Sequence, residues 1–166
     1  MVRRLLLFTL LFVMILLAGC GGASERTLNF RSIACTESGE IMSLGDTRTV
    51  FDKALGEGEY MGHGSYSYLD GALEVGFENN RATGLQFNTY PPTDRITFYN
   101  LDLDMTLQEL RDNFTQSEVA KDGDGVYNRF FDSAGNEVPQ EKSDYTLTVA
   151  YFHPIGVVYV VLRQNK

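Results

Sequence analysis

Two short helix-start patterns, 59 residues apart, limit what this chain can fold into more than any other feature. The first spans residues 44–56 and the second spans residues 103–114. Thr106 is followed three residues later by Glu109, which predicts a capping box at the second helix. The candidate caps of the first helix are Asp46 and Thr47. Each helix has only a few turns and a narrow apolar stripe, so each must pack on a sheet to be stable in water.

Strand-like stretches surround both helices in the same order, because one precedes each helix and three follow it. In the first half they are residues 28–31, 65–69, 72–77 and 83–88. In the second half they are residues 96–99, 126–132, 145–152 and 157–163. Pro91 and Pro92 lie between the halves and favour a connection there. We therefore predict an α+β fold of two β-α-β-β-β repeats, residues 28–90 and 91–166, with short helices packed on antiparallel sheet.

Turn chemistry predicts two strand registers in the first repeat. Asp70-Gly71 is a strong signal for a two-residue hairpin turn. We expect the next turn to be a three-residue loop at residues 79–81, because that loop places Leu85 opposite Val75. A plain two-residue turn would instead place Gly84 opposite Val75 and turn Leu85 to solvent, since a slip of one residue exchanges the two faces of a strand.

The last two predicted strands are apolar on both faces. A loop at residues 153–156 would pair Phe152 with Val157 and Ala150 with Tyr159. The face directed away from the helix would then carry Thr148, Ala150, Phe152, Val157, Tyr159 and Val161. Such a patch is either covered by the first repeat or by residues 123–143, or it is used for binding another protein. The binding residues expected in the second case are Phe152, Tyr159, Val157 and Val161.

The first 22 residues have the order of a lipoprotein leader. Arg3 and Arg4 precede an apolar run that is shorter than the roughly 20 residues of a membrane span. Leu17-Ala18-Gly19-Cys20 resembles the lipobox of bacterial lipoproteins, in which the cysteine thiol receives diacylglycerol and cleavage occurs just before it. The resemblance implies a signal peptide at residues 1–19, and a lipidated Cys20 with a tether at residues 20–27. The alternatives are a plain signal peptide that is cut nearby and an uncleaved anchor.

The charge of the mature chain argues against one class of partner. The sequence has 14 basic and 22 acidic residues, and removal of two leader arginines leaves 12 against 22, a net charge of −10. Such a surface repels phosphate backbones and anionic headgroups, so we do not expect nucleic acid as a partner. We expect the lipid on Cys20 to hold the protein at the extracytoplasmic face of a cell membrane, on the periplasmic side where there is an outer membrane. Cys35 would then be a single thiol, and we expect it to be buried and inert.

Three stretches that could carry chemistry are interpreted as structural. The glycine-rich residues 56–64 contain two glutamates and no lysine, which argues against phosphate binding. His63 and His153 have no partner at metal-ligand spacing, so we expect turn histidines and neither a metal nor a cofactor. Residues 122–125 resemble the start of a calcium loop but lack its later ligands. A Ser-His-Asp set stays open, because its members need not be neighbours in sequence.

Residues 41–87 are similar to a recurring small lipoprotein module. The matching features are a short helix opened by Leu-Gly-x-Thr, a Leu-Gly exit, and Tyr-Leu-Asp-Gly-Ala-Leu-Glu-Val-Gly-Phe-Glu-Asn-Asn-Arg at residues 68–81. They resemble the unit shared by β-lactamase-inhibitory-protein-like proteins and the SmpA/OmlA outer-membrane assembly lipoproteins. Residues 96–163 match in element order alone. The resemblance implies an α+β module that binds protein with a sheet face and has no catalytic residues.

These patterns together favour a lipid-anchored, non-enzymatic module that engages another envelope or secreted protein. One alternative is an envelope enzyme or enzyme inhibitor, and an enzyme would require clustered titratable residues in a pocket. The other is a small-molecule carrier, which would require an enclosed apolar cavity.

Overall fold

The computed structural model describes residues 26–89, 94–119 and 124–165. They form a mixed α+β fold of mostly antiparallel strands with two short α-helices. The first half contains β1 (Ser32–Cys35), β2 (Ile41–Ser43), α1 (Arg48–Leu55), β3 (Glu59–Gly62), β4 (Ser65–Tyr68), β5 (Leu73–Glu78) and β6 (Arg81–Asn88). The second half contains β7 (Ile96–Phe98), α2 (Leu107–Asn113), β8 (Thr115–Val119), β9 (Gly125–Phe131), β10 (Tyr145–Phe152) and β11 (Gly156–Gln164). No helix in these ranges is long and apolar enough to cross a membrane.

The strands form one large and one small sheet. The large sheet has eight strands in the order β3-β4-β5-β6-β11-β10-β9-β8. β6 and β11 are antiparallel neighbours, so the two halves of the chain share this sheet. The small sheet has the order β2-β1-β7 and also takes strands from both halves. The halves are therefore joined by hydrogen bonds at two places.

One face of the large sheet is covered by the two helices and the small sheet. Phe51 of α1 and Leu110 of α2 are fully buried against it. Phe98 of the small sheet lies with its ring centroid 5.7 Å from that of Phe87 in β6. Burial of a side chain of this size contributes about 1.5–3 kcal/mol. This packing stabilises helices of eight and seven residues, which are too short to persist alone.

The predicted capping of the two helices is confirmed at one of them. The Thr106 hydroxyl accepts a hydrogen bond from the Glu109 backbone N–H, and the Glu109 carboxylate accepts one from the Thr106 backbone N–H. Thr47 occupies the N-cap of α1 but makes no hydrogen bond with its side chain. The Asp46 carboxylate instead accepts hydrogen bonds from the Ser43 backbone N–H and from Arg26. Asp46 therefore closes the turn before α1 rather than capping it.

The predicted order of one strand before and three strands after each helix is wrong. Four strands follow each helix, because β3 and β8 also form, at the two edges of the large sheet. Two strands precede α1, because β2 pairs with β1 in the small sheet. An edge strand with exposed side chains lacks the apolar alternation that makes a buried strand recognisable. The first strand also begins later than predicted, at Ser32. Hydrogen bonds from Arg31 to Asn29 and between Asn29 and Ser32 close residues 29–32 into a turn.

The predicted turn at Asp70-Gly71 is confirmed. Asp70 and Gly71 both have positive φ, at 56° and 91°, and the Ala72 N–H donates to the Leu69 carbonyl at 3.1 Å. This is the geometry of a type I′ turn, which glycine at its second central position adopts without strain. The flanking ladder pairs Tyr68 with Leu73, as the turn predicts.

In the next hairpin the predicted register is right and the predicted loop is wrong. Leu85 lies opposite Val75, as expected. The turn nevertheless has two residues, Asn79 and Asn80, both with positive φ. The extra residue is Thr83, which lies between paired residues of β6 as a bulge. The bulge restores the core-facing register that a plain two-residue turn alone would have lost.

A second bulge corrects the register predicted for β10 and β11. Ala150 pairs with Tyr159 as expected, but Val157 pairs with Tyr151 and not with Phe152. Val158 is the unpaired residue of this bulge. Val157 therefore lies on the covered face of the sheet, where it is 7% exposed. It was predicted on the other face because strict alternation was carried through to the turn.

Candidate binding face

The face of the large sheet opposite the core forms a continuous surface, which we call the open face. One row of paired residues crosses all eight strands and runs in the order Glu59, Ser67, Glu74, Gln86, Val161, Thr148, Asn128 and Thr115. The flanking row towards the β10–β11 turn includes Asn88, Tyr159, Ala150 and Val126. The strand pairings thus determine which side chains are neighbours on this face.

The open face has different chemistry in its two halves. On the strands of the first half it carries the carboxylates Glu59 and Glu74. Gly76 lies opposite Gly84 there, and an added Cβ on Gly84 would meet no atom within 4 Å. The surface is therefore low and acidic in this half. On β10 and β11 it carries aromatic and aliphatic side chains, as the sequence predicts.

Three of the four predicted binding residues lie on the open face. Phe152 is 43% exposed, and Tyr159 and Val161 are partly exposed. Val157 is not among them, because the bulge at Val158 turns it into the core. Ala150 is on this face but fully buried beneath its neighbours. The described residues therefore leave an apolar patch of Phe152, Tyr159 and Val161 without cover.

The described residues of the segment 123–143, which was one of the two predicted covers of this patch, do not lie over it. Residues 125–131, within the segment expected to cover it, form β9 and lie beside β10 in the same sheet. Asn128 of β9 accepts a hydrogen bond from the Thr148 hydroxyl at 2.7 Å and donates one to the Ser117 hydroxyl at 2.8 Å. These bonds satisfy the polar side chains next to the apolar patch and hold their rotamers.

Sequence reasoning missed the edge of the open face formed by β3. Glu59 belongs to the crossing row, and its neighbours Tyr60 and Met61 are 60% and 61% exposed. The Tyr60 ring centroid lies 5.2 Å from that of Tyr66 in β4. Tyr60 and Tyr66 lie on the side of the sheet that packs on the helices, because Tyr66 pairs with the buried Val75. Glu59 is therefore the residue of β3 that belongs to the open-face row.

The most developed group of ionisable side chains lies under α1. The Asp52 carboxylate accepts hydrogen bonds from the Tyr68 hydroxyl at 2.9 Å and from Arg48 Nε at 3.1 Å. Arg48 also donates to the Tyr66 hydroxyl at 2.9 Å. Burial, and then the hydrogen bond to Asp52, raise the pKa of Tyr68 well above its ordinary value. The Tyr68 hydroxyl therefore stays neutral near pH 7 and joins α1 to β4.

The histidines and the cysteine lie where the sequence predicts. His63 and His153 are exposed and occupy turns. The His153 backbone N–H donates to the Asp124 carboxylate at 2.7 Å. Cys35 is buried and carries a free thiol. Burial by itself would raise the pKa of that thiol, but hydrogen bonds with Ser38 and with the backbone of residues 37–38 lower it overall.

Two predicted sites involve residues outside the described part of the chain. Cys20 and the leader precede residue 26, and the possible calcium loop includes residues 122 and 123. Within the described ranges, no three His, Cys, Asp or Glu side chains are grouped closely enough to hold a metal ion. The lipidation of Cys20 stays a prediction.

Comparisons with protein-family models, with curated proteins and with solved structures found no significant match to this chain. The resemblance to β-lactamase-inhibitory-protein-like and SmpA/OmlA lipoproteins therefore stays a prediction from sequence.

Proposed function

We propose that this protein is a lipid-anchored, extracytoplasmic binding module that engages another envelope or secreted protein through the open face. The observation that carries the proposal is the uncovered patch of Phe152, Tyr159 and Val161. Aromatic side chains contribute most of the energy of many protein interfaces. A sheet that is covered on one side and apolar in part on the other is well suited to that use.

We infer further that the chain arose from a duplicated unit of one short helix followed by four antiparallel strands. The strand order supports this, because β3 to β6 run inward from one edge of the sheet and β8 to β11 run inward from the other. Phe51 and Leu110, which align in sequence, are both fully buried from their helices. In such a pair the first unit supplies the acidic half of the open face and the second supplies the apolar half.

The lipobox supports the anchored location. Arg26 donates hydrogen bonds to Asp46 and to the Ile41 carbonyl, so the tether joins the fold at the turn before α1. Six residue steps lead from Cys20 to Arg26, so a lipid on Cys20 would lie within about 22 Å of that turn. The module would therefore work close to the membrane surface.

The substitution Tyr159→Glu tests the binding proposal. The variant places a charge in the apolar patch and should abolish capture of a crosslinked partner from native membranes, while its melting temperature stays near that of the wild type. Tyr60→Glu is the matched control, because Tyr60 is 60% exposed, lies at the far edge of the sheet on the side opposite the open face, and should leave capture unchanged. Capture by Tyr159→Glu at the wild-type level would contradict the proposal, and so would unfolding of that variant.

A further inference from the structure

A groove separate from the open face lies at the end of the sheet where β10 turns into β11. Its walls are the connection between β7 and α2, at residues 100–106, and the start of β11, at residues 155–157. Its volume is about 1230 Å³, which exceeds the roughly 300–1,000 Å³ of a typical small-molecule pocket. Thr89 and Asp94 also line it and flank residues 90–93, which lie outside the described part of the chain.

The floor of the groove is apolar. It is formed by Ile96, Phe98, Leu101, Leu103, Met105 and Val157. Leu103 and Met105 are partly exposed, and Ile155 stands at the rim with 64% of its surface exposed. Ile155 and Phe152 come from the same turn but serve different surfaces. The groove is therefore a second apolar surface that does not depend on the open face.

The rim of the groove is acidic. Asp94, Asp102 and Asp104 line it and are exposed, and its described lining includes no lysine, arginine or histidine. Within the described residues none of these three carboxylates takes part in an ion pair. Three carboxylates without counter-ions above an apolar floor repel anionic ligands, including phospholipid headgroups, and attract cations.

We propose that this groove binds a cationic amphipathic peptide segment of a partner protein. Apolar side chains of the segment fill the floor, and its Lys or Arg side chains pair with Asp94, Asp102 and Asp104. The acidic rim favours a cationic segment over an acidic one, because opposite charges attract across an interface and like charges repel. The proposal goes beyond the function assigned to the open face and stands without it.

A random 12-residue peptide display library tests the proposal on the immobilised full chain. Enriched peptides should carry a net positive charge and several apolar residues. Their affinity, measured by fluorescence anisotropy, should fall at least tenfold in the double variant Asp102→Asn/Asp104→Asn. Asparagine keeps the oxygen that accepts the hydrogen bond from the Asp104 backbone N–H at 2.9 Å, so the fold is preserved.

Two control variants separate this groove from other surfaces. Glu59→Gln/Glu74→Gln removes the same charge from the open face and should leave the affinity unchanged, as should Tyr159→Glu. Equal losses in both charge variants would show non-specific attraction and overturn the proposal. Absence of enriched peptides would overturn it as well. The open-face proposal has its own test, which is partner capture by Tyr159→Glu, so the two proposals can fail independently.

Discussion

Asp52 shows how one residue can join two elements of this fold. Its carboxylate accepts hydrogen bonds from Arg48 in its own helix, from Tyr68 in β4 and from the Gly58 backbone N–H at 3.4 Å. Tyr68 is 3% exposed, so its hydroxyl must have a partner. α1 is held to the sheet by this bond as well as by the apolar packing of Phe51.

The pKa of Tyr68 leads to a prediction about alkaline stability. In the unfolded chain a tyrosine loses its proton near pH 10, whereas folded Tyr68 keeps its proton to higher pH because its pKa is raised. The contribution of the protonated Tyr68 hydroxyl to the free energy of unfolding is therefore fully present below about pH 10 and is lost as the pH rises above that value. We expect Tyr68→Phe to cost about 1.5–3 kcal/mol at pH 7, with a smaller difference from the wild type above about pH 10.

Urea unfolding between pH 7 and pH 11 measures this difference. Tyr99→Phe is the matched control, since Tyr99 is 42% exposed and should behave like the wild type at every pH. The difference in the free energy of unfolding between Tyr68→Phe and wild type would then shrink above about pH 10. A difference that stays constant through pH 11 would contradict this use of the raised pKa of Tyr68.

At the scale of elements, single bulged residues decide which side chains are buried. Thr83 of β6 has no directly paired residue in β5, and Val158 of β11 has none in β10. Thr83 lets a two-residue turn coexist with a buried Leu85. Val158 turns Val157 into the core and leaves Tyr159 on the open face. Each bulge changes the facing of the residues between it and the turn, because side chains alternate with a period of two.

Deletion of Thr83 should therefore be tolerated. Without Thr83, Ala82 and Gly84 become consecutive in β6. Their partners in β5, Phe77 and Gly76, are already consecutive, so the ladder becomes regular. Every core residue then stays on the covered face of the sheet. We expect a cost of about 1 kcal/mol or less in urea unfolding, as for mild changes outside a core. A loss of several kcal/mol on deletion of Thr83 would show that the bulge itself is needed for folding.

Deletion of Gln86 from the same strand provides the contrasting case. It would place Gly84 opposite Val75 and turn Leu85 to solvent, which costs about 2–5 kcal/mol for a buried leucine. A similar melting temperature for the two deletion variants would contradict the assigned register.

At the scale of the whole molecule, pairing of β6 with β11 makes one sheet from two halves. The same pairing creates an open face that is acidic on one side and apolar on the other.

The substitution Cys20→Ser tests the predicted lipid anchor. Without the thiol no diacylglycerol can be attached, so the variant should leave the detergent phase in Triton X-114 partitioning. Cys35→Ser is the control, because Cys35 is buried and should not alter partitioning. Retention of Cys20→Ser in the detergent phase at the wild-type level would mean that another feature anchors the chain.

The sequence by itself determined those features that depend on neighbouring residues. The Thr106–Glu109 capping box, the Asp70-Gly71 turn and the apolar alternation of β5 and β10 each involve contacts within a few positions along the chain. The α+β class follows from these patterns. The same local reasoning placed Phe152, Tyr159 and Val161 together on the open face.

The tertiary structure alone decided the features that depend on distant partners. β3 and β8 form because hydrogen-bonding edges are available beside β4 and β9. Neither of the two short segments shows the apolar alternation that predicts a strand. The bulge at Val158 returns Val157 to the core, where burial of its side chain contributes about 1.5–3 kcal/mol. The groove exists because residues 100–106 and residues 155–157 at the start of β11, some 50 positions apart in sequence, form its two walls. The sequence of neither segment predicts that the two are close, because strands from both halves of the chain must pair to bring them together.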